Sequence, residues 1–449
     1  MAKAMSRQTR ENPAGKPAPT LRQARFGWCM YDWANSAFAT VVLAAVLPVY
    51  LAGLVPAEGA HLTFFGLSRT VTATVLWGYS VTCSMILVAV SAPWLGALAD
   101  RRGCRRRWLF HFCLAGSIAT ALLMLAGPGR YLLASGLFVI ANVSFAGSNI
   151  FYNAFLPALA EGPEMDRLSA RGFALGYVGG GLALLLVFAL ISYPTAFGLS
   201  GRGPATRLGF LLTGLWWLLF SLPTFRYLRD DLPRRPVSPM PGGWRGYVQL
   251  FARMRRYPDL LRFLIAFLCY NDGIQTIIVV AAIFAREELG LSPGSILGCF
   301  LMIQFVAMPG ALFFGRIAER YGARQAIFAS LAIFILVTVY AFRMQRNWEF
   351  WILGLLVALV LGGSQAVSRS LYGALIPPDK SAEFFGFYAI SGKFATVLGP
   401  FAFALIADLT GSNRLSILAL AVFFVIGIAL LATVDMERGR RAARESSPP

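Results

Sequence analysis

Charge is scarce in this 449-residue chain. Only 14% of its residues are Asp, Glu, Lys or Arg, against roughly a quarter in a soluble domain. Acids are scarcer still, 21 against 40 Lys and Arg, which leaves a formal charge of +19. With 57% apolar residues and a mean hydropathy of +0.64, too few charges remain to coat a water-exposed surface. The +19 is therefore not the footprint of a soluble nucleic-acid binder. Disorder is excluded by the same figures. Histidine is nearly absent, and neither His61 nor His111 has a second ligand residue nearby. The six cysteines (Cys29, Cys83, Cys104, Cys113, Cys269, Cys299) form no CxxC or Cys/His cluster, so zinc and redox motifs are missing. Five of them lie in apolar segments, where a small core residue is the expected use. The sequence also lacks GxxxxGK[ST], HExxH and GxSxG, and no Asp-rich metal site is visible. ATP is not the evident energy source, no cofactor is expected, and no enzyme signature is present.

Long apolar runs are abundant. A bilayer core takes about 20 apolar residues per helix. Twelve such runs are legible, at 27–54, 70–99, 108–127, 131–157, 168–193, 206–228, 259–285, 293–317, 324–342, 348–376, 383–407 and 414–434. The longest connection, 229–258, carries Pro233, Pro236, Pro239 and Pro241. It divides the chain into six-helix halves at 27–228 and 259–435, flanked by tails at 1–26 and 436–449. The first tail is basic and Pro-containing. No apolar segment with a small-residue cleavage site precedes the first long run, so it reads as a tail and not as a cleaved signal.

The basic residues record orientation. With twelve spans both termini share one side, and 30 of the 40 Lys and Arg fall in loops or tails of that side. Only 8 fall on the other: Arg69, Arg130, Arg202, Arg207, Arg286, Arg343, Arg346 and Arg414. Cytoplasmic loops hold such an excess, so both termini are expected in the cytoplasm, facing anionic lipid. Short loops and the Arg-rich composition fit a bacterial inner membrane.

The halves repeat. Gly96-Ala-Leu-Ala-Asp100-Arg101-Arg-Gly103 recurs as Gly315-Arg-Ile-Ala-Glu319-Arg320-Tyr-Gly322. Tyr152-Asn-Ala-Phe-Leu-Pro157 recurs as Tyr372-Gly-Ala-Leu-Ile-Pro377 at nearly the same offset. Tyr31-Asp32 against Tyr270-Asn271-Asp272 is a weaker match. Parallel repeats facing one another across a midplane site are a transporter architecture. In the loop motif the acid can cap or pair at a helix end, and the glycines allow a tight turn. The plainer reading is a basic loop that obeys the charge rule.

These motifs resemble the major facilitator superfamily, whose loop between helices 2 and 3 is similar to Gly96–Arg107, with Gly315–Arg324 as its copy. Within it, Trp28-Cys-Met-Tyr31-Asp32-Trp33-Ala-Asn35-Ser36-Ala37-Phe38 resembles the signature of the vacuole-effluxer branch, the autophagy-related permeases and their bacterial relatives. Phe151–Pro157, Ser368-Arg369-Ser370 and the stretch from Ala382 through Lys393 to Pro400 are similar to the same branch. The resemblance implies an all-α integral membrane protein, twelve transmembrane helices in two pseudo-symmetric bundles, and a monomer as the family default. Fungal members are associated with amino-acid efflux from the vacuole. Helix 5 carries Gly176, Gly179, Gly180 and Gly181 without the Gly-Pro element of the superfamily's antiporters, so antiport does not carry over.

Four ionisable residues fall inside spans: Asp32, Asp272, Arg369 and Lys393. A charge at bilayer depth is costly and usually faces the bundle interior with a role. Arg369 and Lys393 are candidates to meet an anionic group of a small solute. Asp32 or Asp272 would meet an amino group or carry a coupling proton. The competing reading makes them structural ion pairs. Asn35, Asn149, Asn153 and Gln275 are candidates to complete the site, and interhelical hydrogen bonding is their alternative. Asn142, Gln304 and Gln365 belong to the same group. Trp28, Trp33, Trp77, Trp94, Trp216, Trp217, Trp348 and Trp351 occur mainly toward span ends, as in an interfacial belt. Trp33 is set apart because it follows Asp32. The reading is a secondary transporter of a small polar solute, an amino acid or an organic anion, with protons as the candidate coupling ion. A non-transporting membrane sensor or scaffold on the same fold is the alternative.

Overall fold

The computed structural model describes residues 19–64, 67–230, 252–395 and 398–445. The first helix, α1 (Leu21–Leu54), opens on a capping box. The Gln23 N–H donates to Thr20 Oγ1 at 3.3 Å, and the Thr20 N–H donates to Gln23 Oε1 at 2.9 Å. Its middle, Phe38–Val46, widens into a π-helix. There follow α2 (Ala73–Arg102), α3 (Arg105–Leu125), α4 (Tyr131–Leu159), α5 (Pro163–Ser192) and α6 (Arg202–Tyr227). The second half has α7 (Pro258–Glu287), α8 (Pro293–Tyr321), α9 (Ala323–Arg343) and α10 (Asn347–Leu375). The eleventh span is described in two pieces, α11a (Ser381–Phe394) and α11b (Leu398–Thr410). Last come α12 (Asn413–Ala432) and a short amphipathic helix, α13 (Met436–Glu445). Twelve helices span the membrane, in two bundles.

The duplicated glycines act at the ends of helices. α2 stops at Gly103, which has φ +58°, and α8 stops at Gly322, with φ +97°. Both values lie where a Cβ is disfavoured, so glycine lets the chain turn at once into the next helix. Arg101 and Arg102 in the last turn of α2 suit the negative end of its dipole.

One connection is not a plain loop. β1 (Ala60–Phe64) and β2 (Leu67–Val71) form an antiparallel hairpin in which Ala60 pairs with Val71. The His61 N–H donates to the Tyr131 hydroxyl at 3.1 Å and ties the hairpin to α4. The expected start of the second span at residue 70 moves to Ala73, behind the capping Thr72. The sequence His61-Leu62-Thr63-Phe64 alternates with period two, a signal that a 20-residue hydropathy window averages away.

The halves meet where α5 packs on α8 and α10, and where α2 packs on α11a. At the second seam a Cβ on Gly386 would lie 2.9 Å from the Ala92 carbonyl oxygen, and one on Gly96 would collide with the Ala382 carbonyl. Small residues thus allow backbone-to-backbone approach. Large apolar side chains such as Val49, Ile86, Phe313, Leu336 and Phe401 point outward. That arrangement suits hydrocarbon as the solvent.

Two tryptophans depart from the interfacial-belt reading. Trp28 and Trp217 are fully buried. Distance along a span does not set which face a residue occupies, and both fall on faces that pack against helices. Trp33 stacks on Trp216 (centroids 5.9 Å apart) and packs edge-on to Phe220, both on α6. Cys83, expected as a small core residue, is exposed on α2.

Candidate functional site

A buried ion pair joins the two halves. Arg369 of α10 donates from Nη1 to Asp32 Oδ2 of α1 at 3.0 Å, with 4% and 10% of the two side chains exposed. Nη1 also reaches Asn153 Oδ1 at 3.4 Å, Nε donates to Ser169 Oγ at 2.9 Å, and Nη2 donates to the Ser169 carbonyl at 2.9 Å. All three acceptor residues belong to the opposite half. The guanidinium lies 4.1 Å from the Phe173 ring centroid and 4.8 Å from that of Trp28. The Tyr152 hydroxyl donates to Asp32 Oδ2 at 2.7 Å, and its ring stacks on Trp28. Trp28 in turn donates from Nε1 to the Tyr152 carbonyl at 2.9 Å. Low dielectric strengthens each of these bonds and makes an unpaired member costly. The site needs Gly172: a Cβ there would sit 2.5 Å from Asp32 Oδ2 and 2.9 Å from Arg369 Nη2.

The other candidates divide. Asn35 donates to Asn149 Oδ1 at 2.9 Å, about one helical turn from Asp32, and Asn149 donates to the Phe145 carbonyl at 2.9 Å. Asn149 and Asn153 thus share the α4 face that meets α1 and α10. Asp272 is fully buried in α7 and makes no contact with the Asp32–Arg369 pair. Neither of its carboxylate oxygens meets hydrogen-bond geometry with a partner, and they face the Leu398 and Gly399 N–H groups at the start of α11b. Gln275 reaches Asn271 Oδ1 at 3.5 Å rather than Asp272. Of the four intramembrane charges, Asp32 and Arg369 form one internal pair. The Lys393 side chain lies outside the described residues. Gln365 accepts from the Tyr177 hydroxyl at 3.0 Å and Gln304 donates to Thr40 Oγ1 at 3.4 Å, both across the halves. Asn142 bonds Ser84 within its own half.

The loop motif forms a second cross-half contact on the side that bears the termini. Asp100 of α2 accepts from the Glu383 N–H at 2.8 Å and the Ala382 N–H at 3.2 Å, so it caps α11a of the other half. Arg105 holds that carboxylate through Nε at 2.5 Å and reaches the Pro378 carbonyl at 3.1 Å and the Ala154 carbonyl at 3.3 Å. The Ser381 hydroxyl donates to the same Ala154 carbonyl at 2.7 Å. The copy works differently. Glu319 pairs with Arg167 of α5 on the surface, and Gly315 packs against Ala170. Arg320 lies over the neighbouring Tyr321 ring at 5.3 Å, and Arg101 is half-buried. The Ser370 hydroxyl, next to Arg369, donates to the buried carboxylate of Asp166 on α5. Between α2 and α3, burial and the charge of Asp230 push the Cys104 thiol up. On this side the halves are closed against one another.

Several of these residues escaped sequence reasoning. Asp166 and Glu383 stand close to helix starts, where an acid is ordinary, yet both are buried. Arg105 was counted among the loop arginines. Ser169 and Phe173 carry no local signal, because their role depends on which helix of the other half faces them; Tyr152 stands in the duplicated string, but nothing local says that its hydroxyl meets Asp32.

Residues 20–444 match the family described as vacuole effluxer Atg22 like. The chain belongs to this family. The Atg22-like chain is 34% identical over 423 residues to YxiO of Bacillus subtilis, described as an uncharacterized MFS-type transporter. That match covers 94% of this chain and 96% of YxiO. It is 26% identical over 571 residues to autophagy-related protein 22-1 of Aspergillus niger, covering 96% of this chain and 91% of the relative. Among solved structures, the human organic anion transporter MFSD10 superposes with a TM-score of 0.74 at 15% identity, over 92% of this chain and 100% of that one. The E. coli fucose:proton symporter FucP gives 0.66 at 14% identity, over 92% and 98%. The fold is that of the major facilitator superfamily, and the protein is a membrane transporter of that superfamily.

Proposed function

We propose that this Atg22-like protein is a secondary active transporter that moves a small polar solute, an amino acid or an organic anion, by alternating access. The observation that carries the reading is the buried Asp32–Arg369 pair between the halves. It is the kind of contact a rocking mechanism must make and break. Bundles 27–228 and 259–435 are the moving bodies, with 229–258 as their connection and 1–26 and 436–449 as tails. The 30-to-8 split of basic residues supports cytoplasmic termini, next to anionic lipid in a bacterial inner membrane. Asp32 is the anion paired with Arg369, and a solute carboxylate that competes for the guanidinium, or a proton on Asp32, would release the halves. Asn35, Asn149 and Asn153 sit where they can meet the rest of such a solute. Asp272, Gln275 and Lys393 are proposed to serve a separate coupling role in the second bundle. The protein works as a monomer in this reading, and efflux is the proposed direction, by likeness to the family description.

Purified protein in liposomes tests this. A panel of amino acids, peptides, sugars and organic anions is screened for raised thermal stability. Positive compounds are then followed as flux with and without a pH gradient. Accumulation that depends on Asp32 and Arg369 supports the reading. A panel in which nothing stabilises the protein and nothing crosses the membrane favours the sensor or scaffold.

A further inference from the structure

The two copies of the loop motif meet the opposite half in different ways, and a cavity stands beside the second. Asp100 of the first copy caps α11a and closes the seam between α2 and α11a. At the seam between α5 and α8, Glu319 is held instead by Arg167, whose Nε donates to Oε2 at 3.0 Å and whose Nη2 donates to Oε1. The copies also differ at one neighbouring position: Arg316 stands where the first has the buried Ala97. A cavity of about 410 Å³ opens at the α5–α8 seam, on the side that bears the termini. Ala170 and Gly315 form its floor, where a Cβ on Gly315 would collide with Ala170. Arg167 and Arg171 from the first half and Arg316 and Glu319 from the second form its walls.

Charge and depth decide what such a cavity can hold. Arg167 and Glu319 neutralise one another. Arg171 and Arg316 are exposed, and neither makes a hydrogen bond or ion pair with a described residue. Two positive charges are left, one from each half. α5 has 30 residues and α8 has 29, so each is about 45 Å long and its ends pass beyond a hydrocarbon core of about 30 Å. Arg171 stands in the third turn of α5 and Arg316 in the second-last turn of α8, from where long side chains reach the headgroup layer. Below each arginine the helix face is apolar. Leu175, Val178 and Leu182 follow Arg171 at i+4, i+7 and i+11, and Leu182 is exposed. Phe313, Pro309 and Phe305 precede Arg316 at i−3, i−7 and i−11, and all three are exposed. A Cβ on Gly181 of α5 would lie 3.4 Å from the Phe305 ring, so the α8 row runs along the seam. A free anion would use the two arginines and leave the apolar row bare, whereas a phospholipid uses both.

We propose that this cavity is a binding site for an anionic phospholipid, with the phosphate held between Arg171 and Arg316 and an acyl chain laid along Phe313, Pro309 and Phe305. The planar guanidinium matches phosphate oxygens two at a time. A basic pocket between spans on the cytoplasmic side is a suitable seat for such a headgroup. With one arginine from each half, the lipid does at this seam what the Asp100 carboxylate does at the other.

The test reads lipid binding and not flux, so it does not depend on which solute is carried. Full-length protein in uncharged detergent is mixed with equal amounts of phosphatidylglycerol and phosphatidylcholine, and bound lipid is counted by native mass spectrometry. The wild type should retain phosphatidylglycerol in preference. Arg171→Gln with Arg316→Gln should weaken that retention about ten- to thirty-fold, and Arg316→Ala alone about fivefold. Arg171→Lys with Arg316→Lys keeps both charges and should restore most of it. Arg102→Gln with Arg441→Gln removes two exposed charges from the same side outside the cavity and should change nothing. Equal losses in the two glutamine pairs would mean that bulk surface charge draws the lipid, and the site would be overturned. Phosphatidylglycerol should also raise the midpoint of thermal unfolding of the wild type, and inorganic phosphate at the same concentration should not. Equal stabilisation by inorganic phosphate would overturn the lipid in favour of a free anion.

Discussion

Asp32→Asn is the most informative single change. The substitution keeps the shape and one acceptor oxygen, so the bond from Tyr152 can persist. It removes the carboxylate bonded to Arg369, whose side chain is 4% exposed. Breaking a buried pair by neutralising one member costs about 3–5 kcal/mol, because the other charge stays behind. Here the aromatic faces of Phe173 and Trp28 and the oxygens of Ser169 keep part of the guanidinium's solvation, so about 3 kcal/mol is the figure to use. That cost applies only while the halves are together, since the guanidinium is hydrated once they part. At about 1.4 kcal/mol per tenfold change, the closed-to-open ratio falls roughly a hundredfold. The assay is the double electron–electron resonance distance distribution between spin labels at Leu222 and Tyr321, exposed positions on α6 and α8, repeated for Arg369→Gln and for the double variant. The double-mutant cycle should give a coupling of about 2–3 kcal/mol. A coupling below about 0.5 kcal/mol would refute the reasoning, because the pair would then behave as a solvated one.

Three further changes follow from the same geometry. Gly172→Ala puts a methyl group against both members of the pair, and it should destabilise the closed state by about 1–3 kcal/mol, seen as the same shift in distance with the charges intact. Asp100→Asn weakens the cap on α11a and leaves Arg105, 3% exposed, without its anion; a loss of about 3 kcal/mol, read as a lowered midpoint of thermal unfolding, is the expected result. Arg167→Ala removes a pair whose side chains are 52% and 26% exposed, and it should cost less than about 1 kcal/mol and disappear in high salt. Equal effects for Asp100→Asn and Arg167→Ala would show that burial does not rank these contacts.

The periodicity of apolar runs placed eleven of the twelve spans as continuous helices to within a few residues, because a bilayer imposes one length and one composition on each. The β-hairpin was missed because its signal is four residues long. In the site, Asp32 and Arg369 stood out as charges in apolar runs, where their cost is evident one residue at a time. Their pairing is invisible at that level, since 337 positions separate them. Asp100 was legible as a helix-end acid, but nothing local says that the helix it caps belongs to the other half.

The sequence by itself determined the membrane, the span count, the duplication and the asymmetry of charge. Each follows from local composition read against a solvent that tolerates no exposed backbone. The tertiary structure alone decided which charges meet. It joined Asp32 to Arg369, set Asp272 facing the start of α11b with no hydrogen-bonded side chain among the described residues, and folded Arg438 back onto Asp259. The first depends on the close approach that Gly172 permits, the second on Gly399 against Asp272 and the third on Gly439 against Asp259. A side chain's partner in a bundle is set by neighbours that are remote in the chain, and only packing chooses them.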